Sequence, residues 1–168
     1  MPHSRGVVDP SRRILRAPRE RVFRALIDPD AIETWRVPAG MTAEIHRFDA
    51  RVGGLYRISL TYDSPEQAGK TTAHTDTYHG GFTSIDDGKS VQEQMEFETD
   101  DPDMRGMMSV SVELRDHADG TEIDVLHLNL PPGVDPADNE LGWTEALDRL
   151  AVLVEDAPDS DSTHRDLP

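Results

Sequence analysis

An α+β fold, a curved antiparallel sheet wrapped around one long C-terminal helix with two short helices after the first strand, is predicted by three features of the sequence. Apolar residues recur with a period of two from Thr42 to Leu130, in runs separated by Gly, Pro and Asp turn signals, as in an antiparallel meander with one buried face. Between Asp138 and Glu155 the apolar spacing lengthens to that of a helix. That helix is the only predicted element long enough to cover the sheet. The two must therefore pack, and a curved sheet around a single helix leaves space between them.

Taken in order, Arg13-Ile14-Leu15-Arg16 is a short strand. Pro18 suits the first turn of a helix, where its missing N–H is not needed, and the helix is expected at Pro18–Ile27 with Val22, Phe23, Leu26 and Ile27 on one face. Asp28-Pro29-Asp30 ends it, and Asp30 is the expected cap of a second helix, Ala31–Trp35, that stops before Pro38 and Gly40. Strands follow at Thr42–Phe48 and Leu55–Tyr62, the latter with Tyr56, Ile58, Leu60 and Tyr62 on one face. The connection Asp49–Gly54 ends in a Gly pair, and Gly54 is expected in a conformation that a β-branched residue resists. A loop at Asp63–Lys70 leads to a long polar strand, Thr72–Ile85, which turns at Asp86-Asp87-Gly88-Lys89. Val91–Glu98 places Val91, Met95 and Phe97 on one face, and Met107–Leu114 alternates Met108, Val110, Val112 and Leu114. In Thr121–Leu130 the apolar parity slips from Ile123 and Val125 to Leu126, Leu128 and Leu130, which predicts a β-bulge near Val125–Leu126. The long helix carries a predicted buried stripe of Leu141, Leu147, Leu150, Leu153 and Val154, with Trp143 and Ala146 beside it.

At 168 residues the chain has the length of one domain, expected at 1–156, with an acidic, Ser- and Pro-containing tail at 157–168 expected to be disordered. It contains no cysteine, which excludes disulfides, thiolate metal sites, iron–sulfur clusters and a thiol nucleophile. With 33 acidic against 17 basic residues the formal charge is −16, so nucleic acids and anionic membrane surfaces are not expected as partners. Met1–Gly6 has no apolar signal core and no run approaches the ~20 apolar residues of a membrane helix. A cytoplasmic protein without membrane insertion is expected.

Few residues point to catalytic chemistry. His74, Asp76 and His79 are close in sequence, but strand alternation puts His79 on the face opposite the other two, so no metal is expected. No nucleophile-elbow pattern accompanies a serine, and no Gly-rich loop opens a helix as a phosphate cradle would. Glu93, Glu96 and Glu113 lie on strands. Any one facing inward would suit acid–base work, yet in so acidic a chain solvent is their default surroundings. Catalytic residues and cofactors are accordingly expected to be none.

Three segments carry a resemblance to a known family. They are Ala17-Pro18-Arg19-Glu20-Arg21-Val22-Phe23, continuing through Asp28-Pro29 to Trp35; Phe48-Asp49-Ala50-Arg51-Val52-Gly53-Gly54-Leu55-Tyr56; and Gly142-Trp143, followed by Leu147 and Leu150. With Gly81 and Gly120-Thr121 they span about residues 13–155. In this order they resemble the helix-grip fold of the START-like, or Bet v 1-like (SRPBCC), superfamily, and more narrowly bacterial single-domain proteins of the activator of Hsp90 ATPase homologue 1-like family. The resemblance implies a hydrophobic cavity between sheet and C-terminal helix. The residues expected to line it are Trp35, His46, Tyr56, Ile58, Leu60, Tyr62, Met95, Met108, Val110, Trp143 and Leu147; His127, also on a strand, is a second histidine that reaches either the cavity or solvent. The expected function is binding of a hydrophobic small molecule. Alternatives are a cyclase- or dehydratase-type enzyme acting on a hydrophobic or polyketide-like substrate, which needs two or more polar groups converging in the cavity, and a chaperone-cofactor-like interaction module with a weak protein partner, which needs an exposed apolar patch. A monomer or a homodimer suits any of these.

Overall fold

The structure is a computed structural model that describes residues 11–38, 40–63 and 75–155. His74, residues 64–70 of the expected loop and the expected tail lie outside the described residues. The element order is β1 (Ser11–Leu15), α1 (Arg19–Ile27), α2 (Pro29–Trp35), β2 (Met41–Phe48), β3 (Leu55–Tyr62), β4 (Thr75–Asp86), β5 (Ser90–Phe97), β6 (Met108–His117), β7 (Gly120–Leu128) and α3 (Pro136–Glu155). This is the predicted order of one strand, two helices, six strands and a long helix.

All seven strands form one antiparallel sheet in the order β1-β7-β6-β5-β4-β3-β2. From β2 to β7 each strand pairs with the next along the chain, whereas β1 crosses to pair with β7 from Ser11↔Val125 to Leu15↔Thr121. The inner face carries Tyr56 and Ile58, Tyr78 and Phe82, Val91 and Met95, Val110, Val112 and Leu114, Ile123 and Val125, all buried. Against it pack Ala146, Leu147, Leu150, Ala151 and Val154 of α3, while Val22, Phe23, Leu26, Ile32 and Trp35 of the short helices complete the same core. Burying these side chains stabilises the fold by roughly 1.5–3 kcal/mol for each large aliphatic or aromatic residue.

Several local expectations are corrected. The predicted bulge in β7 is absent, since its pairing with β6 runs unbroken from Ser109↔Leu128 to His117↔Gly120. The apolar residues of both parities are explained otherwise: β7 lies between β1 and β6, and Leu126 and Leu128 are half-buried on its second face. Bulges occur instead between Ile45 and Arg47 of β2 and between Phe82 and Ser84 of β4. Asp28, not Asp30, caps α2: its Oδ1 accepts the Asp30 N–H at 3.0 Å, with Pro29 in the first helical position. Pro18 is the cap residue of α1, its carbonyl accepting the N–H groups of Arg21 and Val22, so the helix begins one residue later than expected. Leu141 does not belong to the buried stripe of α3, being 59% exposed.

The Gly pair has a different division of labour from that expected. Gly53 takes the left-handed conformation, with φ of +83°. Gly54 does not; it is glycine because a Cβ there would lie 2.0 Å from the Asp49 carbonyl oxygen. The turn folds back so tightly that the Gly54 N–H donates to Arg51 O at 2.7 Å, and it is fastened to β4 by Gly53 N–H to Phe82 O (2.8 Å) and Phe82 N–H to Gly54 O (3.0 Å).

Candidate functional site

Between the inner face of the sheet and the first turns of α3 lies a pocket of about 790 Å³. Its sheet side is Leu60 and Tyr62 of β3, Tyr78 of β4, Met95 and Phe97 of β5 and Met108 of β6. Trp143 and Ala146 of α3 face them, and Leu141, Asp135, Asp138 and Glu145 stand at the mouth. Period-two alternation accounts for the wall: each sheet residue has the inward parity of its strand, where the sheet curves away from the helix axis. Gly142 belongs to the same helical turn, and a Cβ built on it would meet nothing within 4 Å.

The polar base of the pocket comes from the end of α2 and from inward positions of the sheet. Arg36 follows Trp35, and its Nη1 donates to both carboxylate oxygens of Glu93 at 3.0 Å. The Tyr56 hydroxyl donates to Glu93 Oε1 at 2.6 Å. Glu93, 2% exposed, is thus an inward carboxylate among Val91, Met95 and Phe97, held by a cation and a phenol. Burial works against the charge on Arg36, but adjacent Glu93 outweighs it and keeps the guanidinium firmly protonated. Burial, and then Glu93, raise the Tyr56 pKa well above that of a free phenol; burial also raises that of Tyr78. Asp76 completes the inward polar set and lines the pocket at 1% exposure.

Trp143 joins this base to the core. The Arg36 guanidinium sits 5.1 Å from its ring centroid, Trp35 meets it edge-on at 6.1 Å and His127 at 5.0 Å. His127 is 3% exposed and its Nε2 has no hydrogen-bond partner among the described residues. Burial, with a further contribution from Arg36, lowers its pKa to about 4. The folded state then resists a proton that the unfolded chain binds at about 6.5. Above that value both states are neutral and His127 is without effect; as pH falls below it only the unfolded chain gains the proton, and stability drops until about pH 4. This residue alone is expected to remove about 2 kcal/mol between pH 7 and pH 5. Urea titrations of wild type and His127→Phe across that interval should diverge by this amount, and parallel curves would refute the assignment.

The residues expected to line a cavity fall into three groups. Leu60, Tyr62, Met95, Met108 and Trp143 line the pocket. Trp35, Tyr56, Ile58, Val110 and Leu147 do not: they are buried in the packed core beneath or beside it, with the Trp35 indole N–H donating to Ala25 O at 2.8 Å. His46 is on the wrong face. It falls in the β2 bulge and its Nε2 is 2.8 Å from the hydroxyl of Ser59, a buried residue that alternates with inward Ile58 and Leu60 and so belongs to the sheet's other face. Sequence reasoning missed Arg36, Asp76, Tyr78, Phe97 and Asn139. For Tyr78 and Asp76 the signal was present in the parity they share with Gly80 and Phe82.

The outer surface separates the remaining candidates. His79 bridges Glu96 and Glu98 at 3.0 Å from each, with the sheet between it and Asp76, and no cluster suited to a metal occurs among the described residues. Arg57 donates to both oxygens of Glu98, which, with His79, lowers that carboxyl's pKa to about 2. Glu113 pairs with Arg115. A second cleft, of about 440 Å³, lies beside Asp30, Glu33 and Thr34 and shares only Val37 and Met41 with the pocket. No helix among the described residues is long and apolar enough to cross a membrane.

A family model described as activator of Hsp90 ATPase homolog 1-like protein matches residues 16–155. No curated protein matches the sequence. Among solved structures, a protein from Chromobacterium violaceum is 27% identical with a TM-score of 0.78, over 91% of this chain and 99% of that one. A protein from Rhodobacter sphaeroides is 21% identical (TM-score 0.75, covering 94% and 97%). An AHSA1-like protein from Aeromonas hydrophila is also 21% identical (TM-score 0.66, covering 88% and 92%). The last two similarities speak for the fold alone.

Proposed function

The chain belongs to the activator of Hsp90 ATPase homolog 1-like family, and from that premise we propose that it binds a small hydrophobic molecule in the pocket between its sheet and α3. The observation that carries this reading is the form of the pocket: about 790 Å³ of space, walled by aromatic and methionine side chains, with a few fixed polar groups at its base. Ligand sites have this make-up, in which apolar area supplies affinity and a few polar groups supply orientation. Met95 and Met108 suit such a wall, because an unbranched thioether adapts its shape to what it touches.

Gly142 provides the test. A leucine there extends into open pocket space and replaces the poorest non-proline helix former, so Gly142→Leu is expected to stabilise the protein by up to about 1 kcal/mol. It should also weaken binding of the neutral fluorophore N-phenyl-1-naphthylamine at least tenfold. Undiminished dye binding in this variant, or no dye binding by the wild type, would overturn the reading.

A cyclase- or dehydratase-type activity is the second reading, favoured by Arg36, Asp76 and Tyr78 facing one pocket. Chemical change in a hydrophobic ligand recovered from the protein, absent after release from Tyr78→Phe, would favour it over simple carriage.

A further inference from the structure

We propose that the pocket selects an uncharged, largely apolar molecule carrying a carbonyl-type oxygen, a ketone, ester or amide, and that the Tyr78 hydroxyl and the Arg36 guanidinium hold that oxygen at its buried end. The inference rests on the ligand-binding reading above and adds the chemical class of the ligand.

Three groups that line the pocket can offer a hydrogen bond to a ligand, and all three donate. Tyr78 is only 6% exposed, its ring packs edge-on against Tyr56 at 6.1 Å and it lines the pocket, and its hydroxyl stands apart from the bonds that tie Arg36 and Tyr56 to Glu93. Burial keeps this phenol protonated. Arg36 directs Nη1 to Glu93, but its Nη2 reaches only the soft sulfur of Met95, at 3.9 Å. Asn139 Nδ2, on the first turn of α3, is a buried donor without a partner among the described residues. A buried donor left unpaired is costly, and a ligand acceptor removes that cost on binding. The inward acceptors are differently placed: Glu93 is taken by Arg36 and Tyr56, and Asp76 is engaged in an interaction of its own.

Charge then decides between acceptors. The Arg36 cation is balanced by Glu93 at 3.0 Å, so it offers donors without a net positive field. Asp135, Asp138 and Glu145 at the mouth of the pocket make the surrounding field negative, on a chain of formal charge −16. A carboxylate, sulfonate or phosphate meets that field on entry. An ammonium ion is attracted by it but has no acceptor to give the unpaired donors. A neutral carbonyl satisfies the donors and avoids the repulsion.

Four naphthalenes of nearly equal size separate these possibilities by isothermal titration calorimetry: 2-acetylnaphthalene, 2-ethylnaphthalene, 2-naphthoate and 2-naphthylmethylammonium. The ketone is expected to bind at least tenfold more tightly than each of the others. Tyr78→Phe, which removes the hydroxyl and keeps the packed ring, is expected to reduce the ketone to the level of the ethyl compound. Equal binding of ketone and hydrocarbon, tighter binding of either ion, or an undiminished ketone preference in Tyr78→Phe would overturn the proposal. If none of the four binds while N-phenyl-1-naphthylamine still does, the selectivity fails alone. If the dye also fails, the ligand-binding reading fails with it.

Discussion

Replacing Glu93 by glutamine is expected to destabilise the protein by about 3–5 kcal/mol, the usual loss when one member of a buried ion pair is removed. The Arg36 side chain is 11% exposed and that of Glu93 2%, so the charge left on Arg36 has little access to water. Escape by deprotonation is closed to a guanidinium. The Tyr56 hydroxyl simultaneously loses a charged acceptor at 2.6 Å. Chemical denaturation should show a lower midpoint with an unchanged slope. The double variant Arg36→Met with Glu93→Leu should recover most of the loss, because two matched apolar side chains leave no stranded charge. A stable Glu93→Gln protein would mean that Arg36 finds water or another anion. The outer-surface pair Arg57–Glu98 is a control: solvent screens it, and Glu98→Gln should be mild.

Gly54→Val is expected to cost about 4 kcal/mol or to abolish folding, in the range reserved for substitutions that violate backbone geometry. Cβ would stand 2.0 Å from Asp49 O and 2.9 Å from Arg51 O, both main-chain atoms that a rotamer change cannot move. Relief requires opening the turn, and with it the Gly53–Phe82 and Phe82–Gly54 hydrogen bonds to β4. Neighbouring Gly53 offers a graded comparison. At φ of +83° with nothing near its missing Cβ, Gly53→Ala pays only the left-handed backbone cost of about 1–2 kcal/mol. Equal losses at the two positions would show that steric contact is not what distinguishes them.

The sheet was legible because its code is short-range. Alternation along Leu55–Tyr62, Val91–Phe97 and Met108–Leu114 marks an inward face without knowledge of the partners, and turn residues mark where each run stops. The apolar wall of the pocket followed from the same alternation. The polar base did not. Arg36 reaches Glu93 from the end of another element, which no spacing encodes. A signal did exist in Glu93, which occupies the inward parity between Val91 and Met95; a carboxylate there requires a cation, though not a particular one. His46 was misplaced although its face could be read: Met41, Ala43 and Ile45 share the inward parity, so His46 falls outward, and the slip of apolar parity from Ile45 to Phe48 is the mark of the bulge. Leu141 was assigned to the core by helical spacing alone, at a turn where the sheet has curved out of reach.

The crossing of β1 to β7 shapes the order of folding. Every pairing from β2 to β7 joins neighbours along the chain, so the meander can assemble by successive short closures. The Ser11↔Val125 ladder instead joins segments separated by the whole meander, and contacts of such separation cost loop entropy before they return anything. Once formed, β1 also ties down α3, through Arg13 to Asp148 and the Arg16 N–H to Glu155 at 2.9 Å. The strand β1 is thus expected to dock after assembly of the meander, and it holds the C-terminal half of α3 against the sheet. It is equally the segment that two copies of the chain would trade if that docking were delayed.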